Sequence, residues 1–205
     1  MLTYIYIIAR DYGFAPNPFY GICTLATCKP GIRKSANIGD WVIGVGSKTI
    51  LENKLVYLMK ISEKISYNEY WGNEKYGMKK PYMKSSLKKM YGDNIYYYDN
   101  LAEKWIQADS HHSYANGKTN PDNLRKDTSS NSVLIANEFY YFGGDAIEIP
   151  ERFRDEIYRS VRGYCKVETS KTITSFIKWI RSSHEIGYYS DPRLFAKFQR
   201  YDGRS

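Results

Sequence analysis

Apolar positions along the chain recur first with a period of two and later with a period near 3.6, which predicts strands followed by helices. The early runs place strands at Thr3–Arg10, Tyr20–Cys28, Trp41–Ser47 and Lys54–Glu63. The fourth is the clearest, with Leu55, Tyr57, Met59 and Ile61 sharing one face of KLVYLMKISE. A short helix or turn over Asn68–Trp71 follows, then a lysine-rich segment, Gly72 to Gly92, broken by Gly77 and Pro81. Asn94–Tyr98 and Lys104–Ala108 predict two short strands joined at Asp99–Asn100. The polar stretch Asp109–Ser130 is expected to be a long loop, of the kind that is usually functional or mobile. One more strand, Ser132–Phe142, stops at Gly143–Gly144.

The last quarter changes period. Pro150 opens a predicted helix in which Phe153, Ile157 and Val161 align, with Arg152, Arg154, Arg159 and Arg162 on the other faces. A second helix runs from about Thr172 to Ser183, buries Ile173, Phe176, Ile177 and Ile180, starts at Thr169 or Ser170 and ends by Gly187. Strands first and helices last predict an α+β fold: a strongly curved mixed sheet or small β-barrel with C-terminal helices packed on it. The 205 residues fit a single domain, with a β-rich core over 1–149 and a helical cover over 150–205.

Composition adds three constraints. No apolar run approaches the roughly 20 residues needed to cross a bilayer, and the N-terminus lacks a basic leader, so a cytoplasmic location and no membrane partner are expected. The three cysteines fit a reducing compartment; Cys23 and Cys28, five apart on one predicted strand, would face opposite ways and share no metal. Neither a metal nor an organic cofactor is expected. The net charge of +8 favours an anionic partner. Lys75–Tyr91 holds six lysines and no acid, interleaved with Tyr76, Tyr82 and Tyr91. With Lys29, Arg33 and Lys34, the residues Lys79, Lys80, Lys88 and Lys89 are the candidate phosphate contacts of a nucleic acid or nucleotide.

The candidate chemistry centres on Tyr4–Lys48, where a Gly/Pro/Asn-rich loop separates apolar strands. Phe14, Phe19, Trp41 and Trp71 could wall a flipped base, with Asp11 and Asn17 on its edge. The alternative is catalysis. Asp109–Ser110–His111–His112–Ser113 gathers an acid, hydroxyls and imidazoles, and His112 with Asp11 could serve a glycosylase- or hydrolase-like reaction. No Gly-x-Ser-x-Gly, His-Glu-x-x-His or P-loop occurs. Twenty-one tyrosines also suit a third class, a small interaction protein or inhibitor.

Two resemblances refine this picture. Ile38–Gly39–Asp40–Trp41–Val42–Ile43 and Ile65–Ser66–Tyr67–Asn68–Glu69–Tyr70–Trp71 resemble the Gly-Asp turn and Tyr/Trp segment of PUA-like domains such as EVE and ASCH. More extensively, DYGFAPNPFYGICTLATCKPGIRKSANIGDWVIGVGSK, NIYYYD, WIQADSHHS and SVLIANEFYYFGGDAIEIP resemble the nucleotide modification associated domain 2 family of bacteria and their phages. That resemblance implies a setting of DNA base modification; within it, recognition of a modified base or nucleotide in phage–host modification or defence is the expected function. It specifies no reaction, since readers and enzymes share such settings.

Overall fold

The computed structural model describes residues 1–158 and 163–201. Two stacked sheets and a pair of helices enclose three cores. The larger sheet contains β1 (Leu2–Ile8), β3 (Trp41–Gly46), β4 (Lys54–Lys60), β9 (Glu138–Tyr141), β10 (Ile147–Glu148), β11 (Tyr164–Glu168) and β12 (Gly187–Tyr188). Its order is β11-β1-β3-β4-β9-β12, with β10 also paired to β4. β1 runs parallel to β3, β9 parallel to β12, and the remaining pairs are antiparallel. The expected barrel is corrected: β11 and β12 are the two ends of an open order.

The smaller sheet holds β2 (Cys23–Leu25), β8 (Val133–Ala136) and β5 (Glu63–Ile65). The predicted strands Lys54–Glu63 and Ser132–Phe142 each divide between the two sheets. Both cross at one corner, where Ser62 N–H donates to the Ile135 carbonyl and its hydroxyl accepts from Asn137 N–H. A strand that switches sheets makes such a corner without leaving its backbone unpaired.

The period-two alternation then fills both sides of each sheet. Tyr4, Tyr6, Val42, Tyr57, Met59 and Tyr141 meet Cys23, Leu25, Leu134 and Ala136 between the sheets. Ile5, Ile43, Val45, Leu58 and Phe142 face the helices α5 (Glu151–Ile157) and α6 (Lys171–Ser183). α6 presents the predicted stripe of Ile173, Phe176, Ile177 and Ile180, and the Ser170 hydroxyl caps it by accepting from Ile173 N–H. Of the other predicted helix, α5 keeps Phe153 and Ile157; Arg159, Val161 and Arg162 lie outside the described residues.

An aromatic third core covers the outer face of the small sheet. Tyr67, Tyr70, Tyr76, Tyr91 and Tyr96 lie there with Val133 and Ile135, under α2 (Tyr67–Gly72), α3 (Leu87–Met90) and the hairpin β6 (Tyr96–Asp99)–β7 (Lys104–Gln107).

Besides α3 in the lysine-rich segment, two short helices were not expected. α1 (Pro30–Ser35) follows the predicted Tyr20–Cys28 strand, of which β2 keeps Cys23–Leu25, and α4 (Pro121–Thr128) interrupts the expected Asp109–Ser130 loop. Both carry Pro at the first turn, where its missing N–H costs nothing. The loop reading is further corrected by burial: Ser110, His111, His112, Ser113, Asn120, Asn123 and Asp127 are all buried. No helix among the described residues is long and apolar enough to cross a membrane.

Candidate active site

α1 and α4 bring together three residues that are far apart in sequence. Cys28 follows β2 and opens the turn into α1. Its φ of 54° and the 38° of Lys29 place two consecutive non-glycine residues in the left-handed region. Such conformations cost on the order of 1–3 kcal/mol each and persist where surrounding structure imposes them. A strand, a left-handed residue and a helix form the kind of turn that lifts a nucleophile above a sheet.

The imposing structure is visible. Asp127 Oδ1 accepts from the Cys28 backbone N–H at 2.8 Å. The Arg33 guanidinium donates to the carbonyls of Cys28 (2.9 Å), Asp127 (2.6 Å), Ser130 (2.9 Å) and Ser132 (2.7 Å). It clamps the turn after β2 to the end of α4.

Between the two lies His112. Its Nδ1 donates to Asp127 Oδ2 at 2.8 Å, and its Nε2 stands 3.7 Å from Cys28 Sγ. Asp127 Oδ2 also accepts from the Tyr96 hydroxyl at 2.9 Å. The His112 carbonyl is held by side-chain amides of Gln107 and Asn123. Thiol, imidazole and carboxylate thus stand in the relative order of a nucleophile, its base and the group that orients the base.

The electrostatics agree. Burial alone would lower the His112 pKa, but the Asp127 carboxylate and Cys28 act against it and raise it to about 10. For Asp127, burial is likewise outweighed by His112, Arg33 and the Tyr96 hydroxyl, and its pKa falls below the usual carboxylate value. With its pKa raised, His112 holds a proton at neutral pH and stands beside the Cys28 sulfur. The neighbouring His111 is opposite in character. Burial and the charge of His112 lower its pKa to about 3, while its Nδ1 donates to the Gln199 carbonyl at 2.6 Å.

Cys28, His112 and Asp127 also offer metal donors within 4.8 Å of one another. The two ring nitrogens, however, face different partners. An ion between Cys28 and Nε2 would leave Asp127 as the partner of Nδ1, outside the ligand shell. The arrangement suits a proton relay better than a three-ligand site.

The site opens into a cleft of about 550 Å³, within the usual range for small-ligand pockets. Its walls come from the end of β1, the Cys28–Gly31 turn, Tyr12, Phe14, both histidines, Tyr164 and Tyr201. A Cβ on Gly31 would come within 2.9 Å of the Tyr164 ring, so the glycine lets α1 lie against that wall.

The residues expected from sequence are dispersed by this geometry. Phe14 lines the cleft, 4.7 Å from the His112 ring between centroids. Asp11 is not the partner of His112. Its carboxylate accepts from the Tyr141 hydroxyl and Gly13 N–H, and burial raises its pKa despite those bonds. Asn17 is buried and accepts from Lys79. Phe19 borders a separate hollow of about 230 Å³ with Lys88 and Tyr188. Trp41 packs in the helix-facing core beneath Arg181, and Trp71 stacks on Tyr97. These six do not form one base pocket.

The phosphate candidates divide likewise. Lys29 lines the cleft. Arg33 is the internal clamp described above. Lys79 is buried, with its ammonium on Asn17 O, Asn17 Oδ1 and Ile22 O. Lys89 is bonded to the Gly77 and Met78 carbonyls, Lys80 lies over the Trp71 ring and Lys88 over Tyr188. Lys34 is exposed on α1, outside the cleft lining. Of this predicted track, Lys79 is internal, while Lys80, Lys88 and Lys89 are partly exposed against rings and carbonyls.

Sequence reasoning missed Cys28 and Asp127 because their meeting depends on α1 and α4. The Cys-Lys-Pro-Gly and Asn-Pro-Asp strings were the available signals of those two helix starts.

No curated protein and no solved structure matches the chain. A family model described as nucleotide modification associated domain 2 matches residues 1–199, and the chain belongs to that family.

Proposed function

We propose that the domain is a cysteine-dependent enzyme that removes or transfers an acyl group on a modified nucleotide. The observation that carries this reading is the single imidazole held between the Cys28 sulfur and the Asp127 carboxylate at the floor of a cleft. The family supplies the tie to nucleotide modification.

The step follows from the geometry. The thiol proton resides on His112 Nε2, and the Cys28 sulfur adds to the carbonyl carbon of an amide or ester on the nucleotide. The C–N or C–O bond breaks as His112 delivers its proton to the departing amine or hydroxyl. Water then adds to the S-acyl carbon, gives a proton to His112, and the acid leaves as that proton returns to sulfur. An oriented base of this kind contributes about 10²–10⁴-fold. Asp127 holds the reactive tautomer, and Arg33 is a positioning residue.

A second reading keeps the cleft and removes the chemistry. Tyr12, Phe14, Tyr164 and Tyr201 give it aromatic walls, which suit recognition of a modified base in a modification or defence setting. Incubation with nucleotides bearing amide- or ester-linked acyl groups, followed by mass spectrometry of the Cys28 peptide and of the nucleotides, separates the two. The enzyme reading expects an acyl adduct on Cys28 and deacylated nucleotide, both absent in Cys28→Ser. Retained nucleotides with no adduct and no mass change would make the domain a reader.

A further inference from the structure

We infer that the cleft takes its substrate as a single phosphate-bearing nucleotide, with the phosphate seated at Lys29 and Lys126 beside Cys28, rather than as duplex DNA. This rests on the cleft being the site proposed above, and it adds the form in which the substrate arrives.

Three observations converge on it. First, Arg10, Lys29 and Lys126 line the cleft, and among the described residues no carboxylate does. Lys29 and Lys126, two like charges near one another at one opening, favour an anionic ligand there. Second, Lys29 follows Cys28 directly and is half-buried, its ammonium 4.5 Å above the Tyr6 ring. Burial lowers its pKa and the like charge of Lys126 lowers it further, while Cys28 acts in the opposite sense. A phosphate between the two lysines would reverse both penalties, because it supplies the opposite charge where water is partly excluded.

Third, the surroundings limit the ligand's size. Tyr164 of β11 walls one side, and Tyr201 stands on the other, its ring 5.7 Å from that of His112 between centroids and its N–H on the His111 carbonyl. About 550 Å³ suits one nucleotide. A duplex would need cations spaced along its phosphates. The lysines that could have supplied them, Lys79, Lys80, Lys88 and Lys89, engage carbonyls and rings outside this cleft.

The test measures protection of Cys28 from iodoacetamide in the full chain, read by peptide mass spectrometry, with Cys165 as internal reference. The probes are deoxynucleosides, their 5′-monophosphates, inorganic phosphate, a short single strand and a short duplex. Binding is read again by calorimetry on Cys28→Ser, which needs no thiol. The inference expects 5′-monophosphates to slow alkylation about tenfold and to bind Cys28→Ser, with nucleosides and duplex weaker by about tenfold or more. Lys126→Glu, an exposed change, should remove the advantage of the phosphate; Lys171→Glu on α6, an equal charge change beyond the sheet, should retain it.

Nucleosides that bind as well as monophosphates, or a duplex that binds best, would overturn the inference while leaving the thiol chemistry standing. Monophosphates that bind Cys28→Ser, in a wild type whose Cys28 is no more reactive than Cys165, would support the inference and overturn the enzyme reading.

Discussion

At the scale of single residues, the account turns on two adjacent histidines with opposite charge states. His112 has a folded pKa of about 10, above its ordinary value near 6.5. Its stabilising contribution is therefore complete below about pH 6.5 and is lost as pH rises through about 10. His111, lowered to about 3 by burial, works in the other direction. Below about pH 6.5 the unfolded chain binds a proton there that the folded chain refuses, so stability falls on acidification. The pair predicts greatest stability near pH 6.5, measured by urea unfolding across pH. His112→Gln should flatten the alkaline limb and, because the His112 charge is one of the causes that lower the His111 pKa, shorten the acid limb without abolishing it.

At the scale of elements, β1, β3, β4 and α6 were legible because each obeys one period over many residues, whereas β10, β11 and β12 were not. The alternation of Leu55, Tyr57 and Met59, and the stripe Ile173–Phe176–Ile177–Ile180, needed no tertiary information. Ser62 and Asn137 hid the crossing between sheets, since a strand that changes sheets keeps its local pattern. α1 and α4 were obscured by their polarity: their important residues, Arg33 and Asp127, are buried because they bond to each other's surroundings rather than because they are apolar. Two variants probe this division. Arg33→Met leaves four carbonyls without their donor and should destabilise by about 3–5 kcal/mol, with Cys28 losing its excess reactivity even where the chain stays folded. Phe176→Ala opens a cavity beneath α6 at a similar cost of about 3–5 kcal/mol, yet Cys28 reactivity should persist, since the large sheet lies between them. Chemical denaturation and thiol alkylation on both proteins check the contrast.

At the scale of the molecule, the two stacked sheets carry the site at one end and leave the helices as a cover on the far face. The positive charge of the chain suggested a nucleic-acid track, but a count of lysines cannot distinguish an exposed ammonium from one seated on carbonyls, as Lys79 is. Nor could spacing in sequence reveal Cys28, His112 and Asp127, whose adjacency exists only after the β2–α1 turn, the Ser110–Ser113 segment and α4 have packed together. The central claim is that this adjacency makes Cys28 a nucleophile. Its most direct test is the rate of Cys28 alkylation by iodoacetamide from about pH 5 to about pH 9, with Cys165 as reference, in wild type, His112→Gln and Asp127→Asn. The account predicts that at about pH 6 wild-type Cys28 reacts about tenfold or more faster than Cys165, and that both variants lose this advantage. A Cys28 that tracks Cys165 at every pH, in all three proteins, would contradict it.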